Sequence, residues 1–255
     1  MRRYLNLFIA ETLKNIAEMR RYLFDTASAV VIFYIIFLAM FFGLKGLAGG
    51  SITGNTLDQM IIGYILWTFA MTSFQSTSYK IYEESQRGTL EQLYLCSLGM
   101  EWSLIFRLIL DFVFSFFFSS VILVVTMLTT GRWLSINIPY VFGILLLSLP
   151  ALWGIGLAFG SLSMVFKKTT AFMQIITFGL IGAVALNGYP LNLCSFIPFT
   201  AGATTIRMSI TGSGTFPLSW YVFMAAVSIS YLLAGVSIFK IFEKQARKRN
   251  LLNQY

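Results

Sequence analysis

The sequence predicts an all-helical, polytopic membrane protein of six transmembrane helices, and three observations carry that fold class. Hydrophobic residues make up 57% of the 255 residues and charged residues only 11%, outside the composition of soluble domains. Six apolar stretches, roughly 27–44, 59–79, 103–128, 139–166, 169–188 and 219–240, approach or exceed the ~20 residues that a helix needs to cross the hydrocarbon layer. With both termini in the cytosol, Lys45, Arg132 and Arg207 are the only ones of the 18 basic residues left outside, which fixes the orientation by positive-inside bias.

Residues 1–26 read as a helix lying on the cytosolic leaflet. Leu5, Phe8, Ile9, Thr12, Leu13, Ile16, Met19 and Leu23 recur at helical spacing, while Arg2, Arg3, Glu11, Lys14, Glu18, Arg20 and Arg21 supply the polar side. A secretory signal would place its apolar run directly after the first basic residues, whereas here that run starts only near Ala27. The helix is therefore expected to stay attached.

The first two spans follow, and residues 80–101 interrupt them with the longest polar segment in the chain. Gly88 breaks the helix leaving the bilayer. Thr89 and Gln92 have the spacing of a capping box, so a new helix is expected near Leu90. Leu90, Leu93, Tyr94 and Leu98 make one apolar stripe on it, and Gly99 stands just past its end. Spacing alone leaves two coverings open for that stripe, the protein's own membrane face or the groove of a soluble partner.

In the third span, Asp111 is the most deeply placed ionisable residue, costing about 2.5–3.5 kcal/mol at a helix centre. Arg107 precedes it by four residues, so a structural ion pair on one helical face is expected. A proton relay through Asp111 would need a chain of further titratable groups, and none follows. Asp58 and Glu101 stand at no helical spacing from Asp111, which leaves no carboxylate dyad.

Two polar stripes run along spans. Thr68, Thr72, Gln75 and Ser76 share a face of the second; Thr170, Gln174 and Thr177 share a face of the fifth. They suit either hydrogen bonding between helices or the wall of a substrate path. Gly156 and Gly160 in the fourth span, and Gly179 with Ala183 in the fifth, have the small-residue spacing of close helix packing. Residues 189–218 are too apolar for a free loop and too broken by Pro190, Pro198 and glycines for a span. They are expected to form a re-entrant outer segment of short helical pieces before the last span, with protein covering the backbone.

Several function classes drop out. The chain has no His and two Cys, Cys96 and Cys194, so neither a metal site of His and Cys nor a Cys–His nucleophile can be assembled. The two cysteines fall on opposite sides of the membrane and cannot pair. The net charge of +8 is spread beside the spans, pointing to the inner membrane surface rather than to nucleic acid. No phosphate-binding Gly-x-x-x-x-Gly-Lys loop is present.

Arg87-Gly88-Thr89-Leu90-Glu91, after the second span, resembles the coupling-helix motif of type-2 ATP-binding-cassette exporter permeases. The outer segment adds a second likeness, because Pro190, Pro198-Phe199 and Arg207 match the Pro, Pro-apolar and Arg steps that follow the fifth span in that family. The resemblance covers essentially the whole chain, although Ser97-Leu98-Gly99 stands where the family commonly has Pro.

The resemblance implies a single transmembrane domain over 1–255 in a prokaryotic plasma membrane, paired with a second copy and with two copies of a separate ATPase. ATP and Mg would bind on that partner, leaving this chain no catalytic residue, metal or cofactor of its own. Arg87, Gly88, Thr89, Leu90, Glu91, Leu93 and Tyr94 would contact the ATPase, and the second and fifth spans would border the path. An apolar, aromatic-rich chain suits export of a hydrophobic or amphipathic cargo such as a drug, lipid or peptide. The rival is a secondary transporter or channel that needs no ATPase; such folds usually show internal repeats or broken mid-membrane helices, and the sequence shows neither.

Overall fold

In a computed structural model, which describes residues 2–47, 54–86, 100–166, 168–212 and 214–248, every described element is helical. The helices are α1 (Arg2–Arg21), α2 (Leu23–Leu47), α3 (Gly54–Gln86), α4 (Met100–Thr130), α5 (Ile138–Ser161), α6 (Thr170–Ala185), α7 (Thr200–Ile210) and α8 (Leu218–Lys248). Short 3-10 turns occupy Leu162–Met164 and Leu193–Phe196.

Among the described residues, four segments are long and apolar enough to cross a membrane: Leu23–Gly46, Ile105–Thr130, Ile138–Met164 and Leu218–Ala246. They coincide with the first, third, fourth and sixth stretches of the sequence reading. The second and fifth stretches are also helical but do not join these four. In α3, Thr, Ser and Gln dilute the apolar run, and the 16 residues of α6 reach about 24 Å. A hydrocarbon layer is ~30 Å thick.

Helix α3 is the hub. At 33 residues it is about 50 Å long, and it packs against α4, α5, α6 and α7. The main core gathers Phe69 and Phe74 of α3, Phe112 of α4, Leu149 and Leu152 of α5, Met173 of α6, Ile206 of α7 and Met224 of α8. A second cluster joins Phe37 of α2, Tyr64 of α3 and Ile122 of α4. Otherwise α2 is bare, with 6% of its apolar window buried.

Glycines set the tightest approaches. A Cβ on Gly154 would stand 2.2 Å from the Tyr231 carbonyl oxygen, and one on Gly235 would stand 2.1 Å from the Gly154 oxygen, so α5 and α8 touch backbone to backbone. Gly156 and Gly160 face α3 instead, where added Cβ atoms would meet Thr77 at 2.8 Å and Ser78 at 3.1 Å. That small-residue pair therefore packs within one chain. Gly179 has nothing within 4 Å, so the corresponding pair on α6 is not used inside the chain.

Residues 186–212 include two short helical pieces, Leu193–Phe196 and Thr200–Ile210, and find polar partners within the segment and on the flanking helices. The Asn192 side chain accepts from the Ser195 amide (3.1 Å), while the Ser195 hydroxyl accepts from the Asn192 amide (2.9 Å). Thr200 donates to the Ala183 carbonyl (2.7 Å), and the Trp220 indole N–H donates to the Thr205 hydroxyl (2.8 Å). Thr200 through Ile206 are all buried, so protein covers this backbone, as the sequence reading required. Phe199, at φ 71°, holds the left-handed turn that starts α7. Its ring is buried in the core and stacks near Phe69.

The N-terminal helix α1 leaves Leu5, Ile9, Leu13 and Ile16 exposed on its apolar side. Phe8 packs edge-on against Phe106 of α4. Tyr22 makes the turn into α2, which starts at Leu23 rather than near residue 27.

Candidate functional site

The segment that carries Arg87, Gly88, Thr89, Leu90, Glu91, Leu93 and Tyr94 lies outside the described residues. What is described is its root, where α3 ends at Gln86 and α4 begins at Met100. A charge cluster stands there. Lys80 of α3 is ion-paired with Asp111 of α4. Arg107 of α4 is ion-paired with Glu84 of α3 through Nη1, and its Nε donates to both carboxylate oxygens of Glu11 on α1 at 3.1 Å. The Arg107, Glu11 and Glu84 side chains are only 14%, 11% and 15% exposed.

This corrects the expected pairing of Arg107 with Asp111, which take their partners from neighbouring helices instead of from one another. The reason is geometric. Helices α3 and α4 run antiparallel, as the pairing of Lys80 with Asp111 and of Glu84 with Arg107 requires. Each helix carries a basic and an acidic residue four apart, Lys80 with Glu84 and Arg107 with Asp111, in the order that places opposite charges across the crossing. The guanidinium fork then spans two carboxylates, which a single neighbour on its own helix could not offer. Lys80, Glu84 and Glu11 were the missed members of the site; the matching i,i+4 doublets hint at Lys80 and Glu84, whereas nothing in the sequence points to Glu11.

The polar stripes are arranged less simply. The Thr68 hydroxyl donates to the Tyr64 carbonyl (2.9 Å), Thr72 to Thr68 (2.9 Å), Ser76 to Ser73 (3.1 Å) and Thr177 to Met173 (3.0 Å). These hydroxyls are spent on their own helices rather than between helices, which masks their polarity in an apolar setting. Helices α3 and α6 do pack together, and the Trp67 indole N–H donates to the Thr177 carbonyl (3.4 Å). Thr68 and Thr177 are buried, Thr72, Gln75, Ser76 and Thr170 are half-buried, and Gln174 is exposed on the outer face of α6.

Two cavities lie on different faces of α7. One, of about 240 Å³, is polar and lined by Gln59, Asn187, Thr204, Arg207, Met208 and Thr211. Arg207 spends its fork on the end of α6, donating to the carbonyls of Ala185 and Leu186, where the helix dipole favours a cation. Burial lowers the Arg207 pKa, yet a guanidinium keeps its charge at any physiological pH. The other cavity, of about 360 Å³, is apolar. Neither is lined by Thr68, Thr72, Gln75, Ser76, Thr170, Gln174 or Thr177. Among the described residues no group of three Asp, Glu, Cys or His side chains could hold a metal ion. The chain is matched by no protein-family model and by no curated protein sequence.

Proposed function

We propose that this chain is the permease subunit of an ATP-driven exporter of the type-2 ATP-binding-cassette class, crossing a prokaryotic plasma membrane six times. Two copies would assemble with two copies of a separate ATPase that binds ATP and Mg, and would move a hydrophobic or amphipathic cargo out of the cytosol. The observation that carries this reading is Arg87-Gly88-Thr89-Leu90-Glu91, placed between α3 and α4 directly beyond a buried charge cluster.

The cluster gives the motif something to act on. Arg107 ties α4 to the last turns of α3 and to α1, so a displacement of the 87–99 segment reaches three helices at once. In the six-span arrangement the self-bonded hydroxyls of α3 let that helix cross, and the burial of Thr200–Ile206 lets that part of the outer segment enter the outer leaflet. The bare side of α2, together with Ile175, Phe178 and Ile181 on α6, supplies apolar surface for a second copy and for lipid. Gln174 and the open Gly179 stand on that same side of α6. A path through the dimer would thus run along α6 between copies rather than inside one chain.

The test is the double substitution Leu90→Ala with Leu93→Ala. Buried apolar anchors lose about 2 kcal/mol or more on truncation in such interfaces, so the inserted protein should lose co-purification of the ATPase and substrate-stimulated ATP hydrolysis. Glu91→Gln, at the rim, should act more weakly and more salt-dependently. Full ATPase association in the double variant would overturn the reading.

A further inference from the structure

The apolar cavity arises from a mismatch of helix lengths. Phe142, near the start of α5, packs on Phe112 and Phe116 of α4 with ring centroids 5.1 and 5.2 Å apart. Helix α4 nevertheless continues from Phe117 to Thr130, about 20 Å of further helix. The connection 131–137 runs back along that overhang, and the space it leaves against α3 and α7 is the cavity of about 360 Å³. Its walls include Ile65 of α3, Leu123 and Met127 of α4, Leu134 of the connection and Ile206 of α7.

No charged side chain lines it. Of the two wall serines, Ser120 donates to its own helix at the Phe116 carbonyl (2.7 Å). The buried Ser119 hydroxyl has no hydrogen-bond partner among the described residues. Val124 and Ile138, which also belong to the lining, are 51% and 63% exposed, so the lining continues onto the lateral surface of the helices.

We propose that this cavity is a binding site for the acyl chain of a membrane lipid. Its volume lies within the roughly 300–1,000 Å³ range of small-molecule sites. Water needs two to four polar partners to settle in a buried space, and this wall offers almost none. A charged solute would meet no counter-charge. Left void, the space would forfeit dispersion contacts on every wall, whereas an acyl chain entering from the bilayer restores them. The site follows from the cavity itself; the assignment of its mouth to the outer leaflet rests on the permease reading.

The experiment reconstitutes the full chain in vesicles containing a lipid with a diazirine on its acyl chain, and maps the photo-adducts by peptide mass spectrometry. Adducts on Leu123–Met127 should be several-fold denser than on the exposed Val31–Ile36 face of α2, which any lipid can touch. They should fall when unlabelled lipid competes and should vanish in Leu123→Trp, which fills the space. Should that variant fail to fold, Ile210→Trp fills it from another wall, and competition on the unaltered chain needs no variant. Adducts no denser than on α2, or unchanged by filling in a folded variant, would overturn the site. A probe confined to the inner leaflet that labels the cavity leaves the site standing and overturns the orientation instead.

Discussion

Replacing Arg107 with Met removes the cation that faces Glu11 and Glu84 while keeping most of the side-chain volume. Both carboxylates, only 11% and 15% exposed, lose that guanidinium in a poorly solvated place. Breaking a buried pair in this way costs about 3–5 kcal/mol, well above the ~0–1 kcal/mol of a surface pair. At roughly 2–4 °C per kcal/mol for a chain of this size, the apparent melting temperature should fall by on the order of 10 °C. Adding Glu11→Gln and Glu84→Gln to Arg107→Met removes the buried carboxylate charges as well, and most of the loss should be recovered. Lys80→Met should cost a similar amount, because the Asp111 carboxylate that loses its cation is only 6% exposed, although Lys80 itself is 39% exposed. The assay is thermal unfolding of the purified chain in lipid nanodiscs, read from its tryptophans. A fall below about 1 kcal/mol for Arg107→Met, or no recovery in the triple variant, would show that the cluster is solvated and refute the reasoning.

A reporter fused after Tyr255 should be cytosolic, and one inserted near Gly50 or Gly214 should be external, by positive-inside bias; protection of the reporters in the opposite sense refutes the orientation. Gly154→Ala and Gly235→Ala should each lower the melting temperature by several degrees, because the added carbon has backbone 2.2 and 2.1 Å away and no flexible side chain to displace. Gly179→Ala, with open space around it, should leave the monomer's melting unchanged, and any effect it has should appear in dimer content measured by native mass spectrometry. Protease added outside intact cells should spare Thr200–Ile206, since those residues are buried and their carbonyls and hydroxyls are engaged; cleavage within them would mean that the outer segment opens.

How much of this was legible depended on whether a feature is local. Four spans and the helical outer segment were readable because length and apolarity act within a single stretch, and the Asn192–Ser195 and Thr200–Ala183 bonds then follow where Pro190 and Pro198 stop any longer helix. The partner of Arg107 was not readable from its own helix. At i+4 Asp111 is within reach, but the winning carboxylates come from α3 and α1, which only tertiary packing brings near. The same limit hid Gly154 and Gly235, each isolated in its own helix and meaningful only as a pair across the α5–α8 crossing. The polar stripe of α6 misled in another way: helical spacing puts Thr170, Gln174 and Thr177 on one face, but α3 covers that face only in part, burying Thr177 and leaving Gln174 outside.

These contacts also constrain which helices can move against which. Helix α3 is held to α5 by Gly156 and Gly160 and to α4 by two ion pairs, while α5 is held to α8 by direct backbone contact. Close-packed contacts of that kind transmit displacement rather than absorb it, because packed interfaces have discrete arrangements and not a continuous range. Helix α2 is different: Phe37 anchors it beside Tyr64 and Ile122, and the Tyr64 hydroxyl donates to the Phe33 carbonyl, but most of its surface touches no protein. A push at the root of the 87–99 segment would therefore carry α3, α4, α5 and α8 as one block. Because Arg107 also grips Glu11, the middle of α1 would travel with that block, and the compliance would be concentrated along the α2 contact.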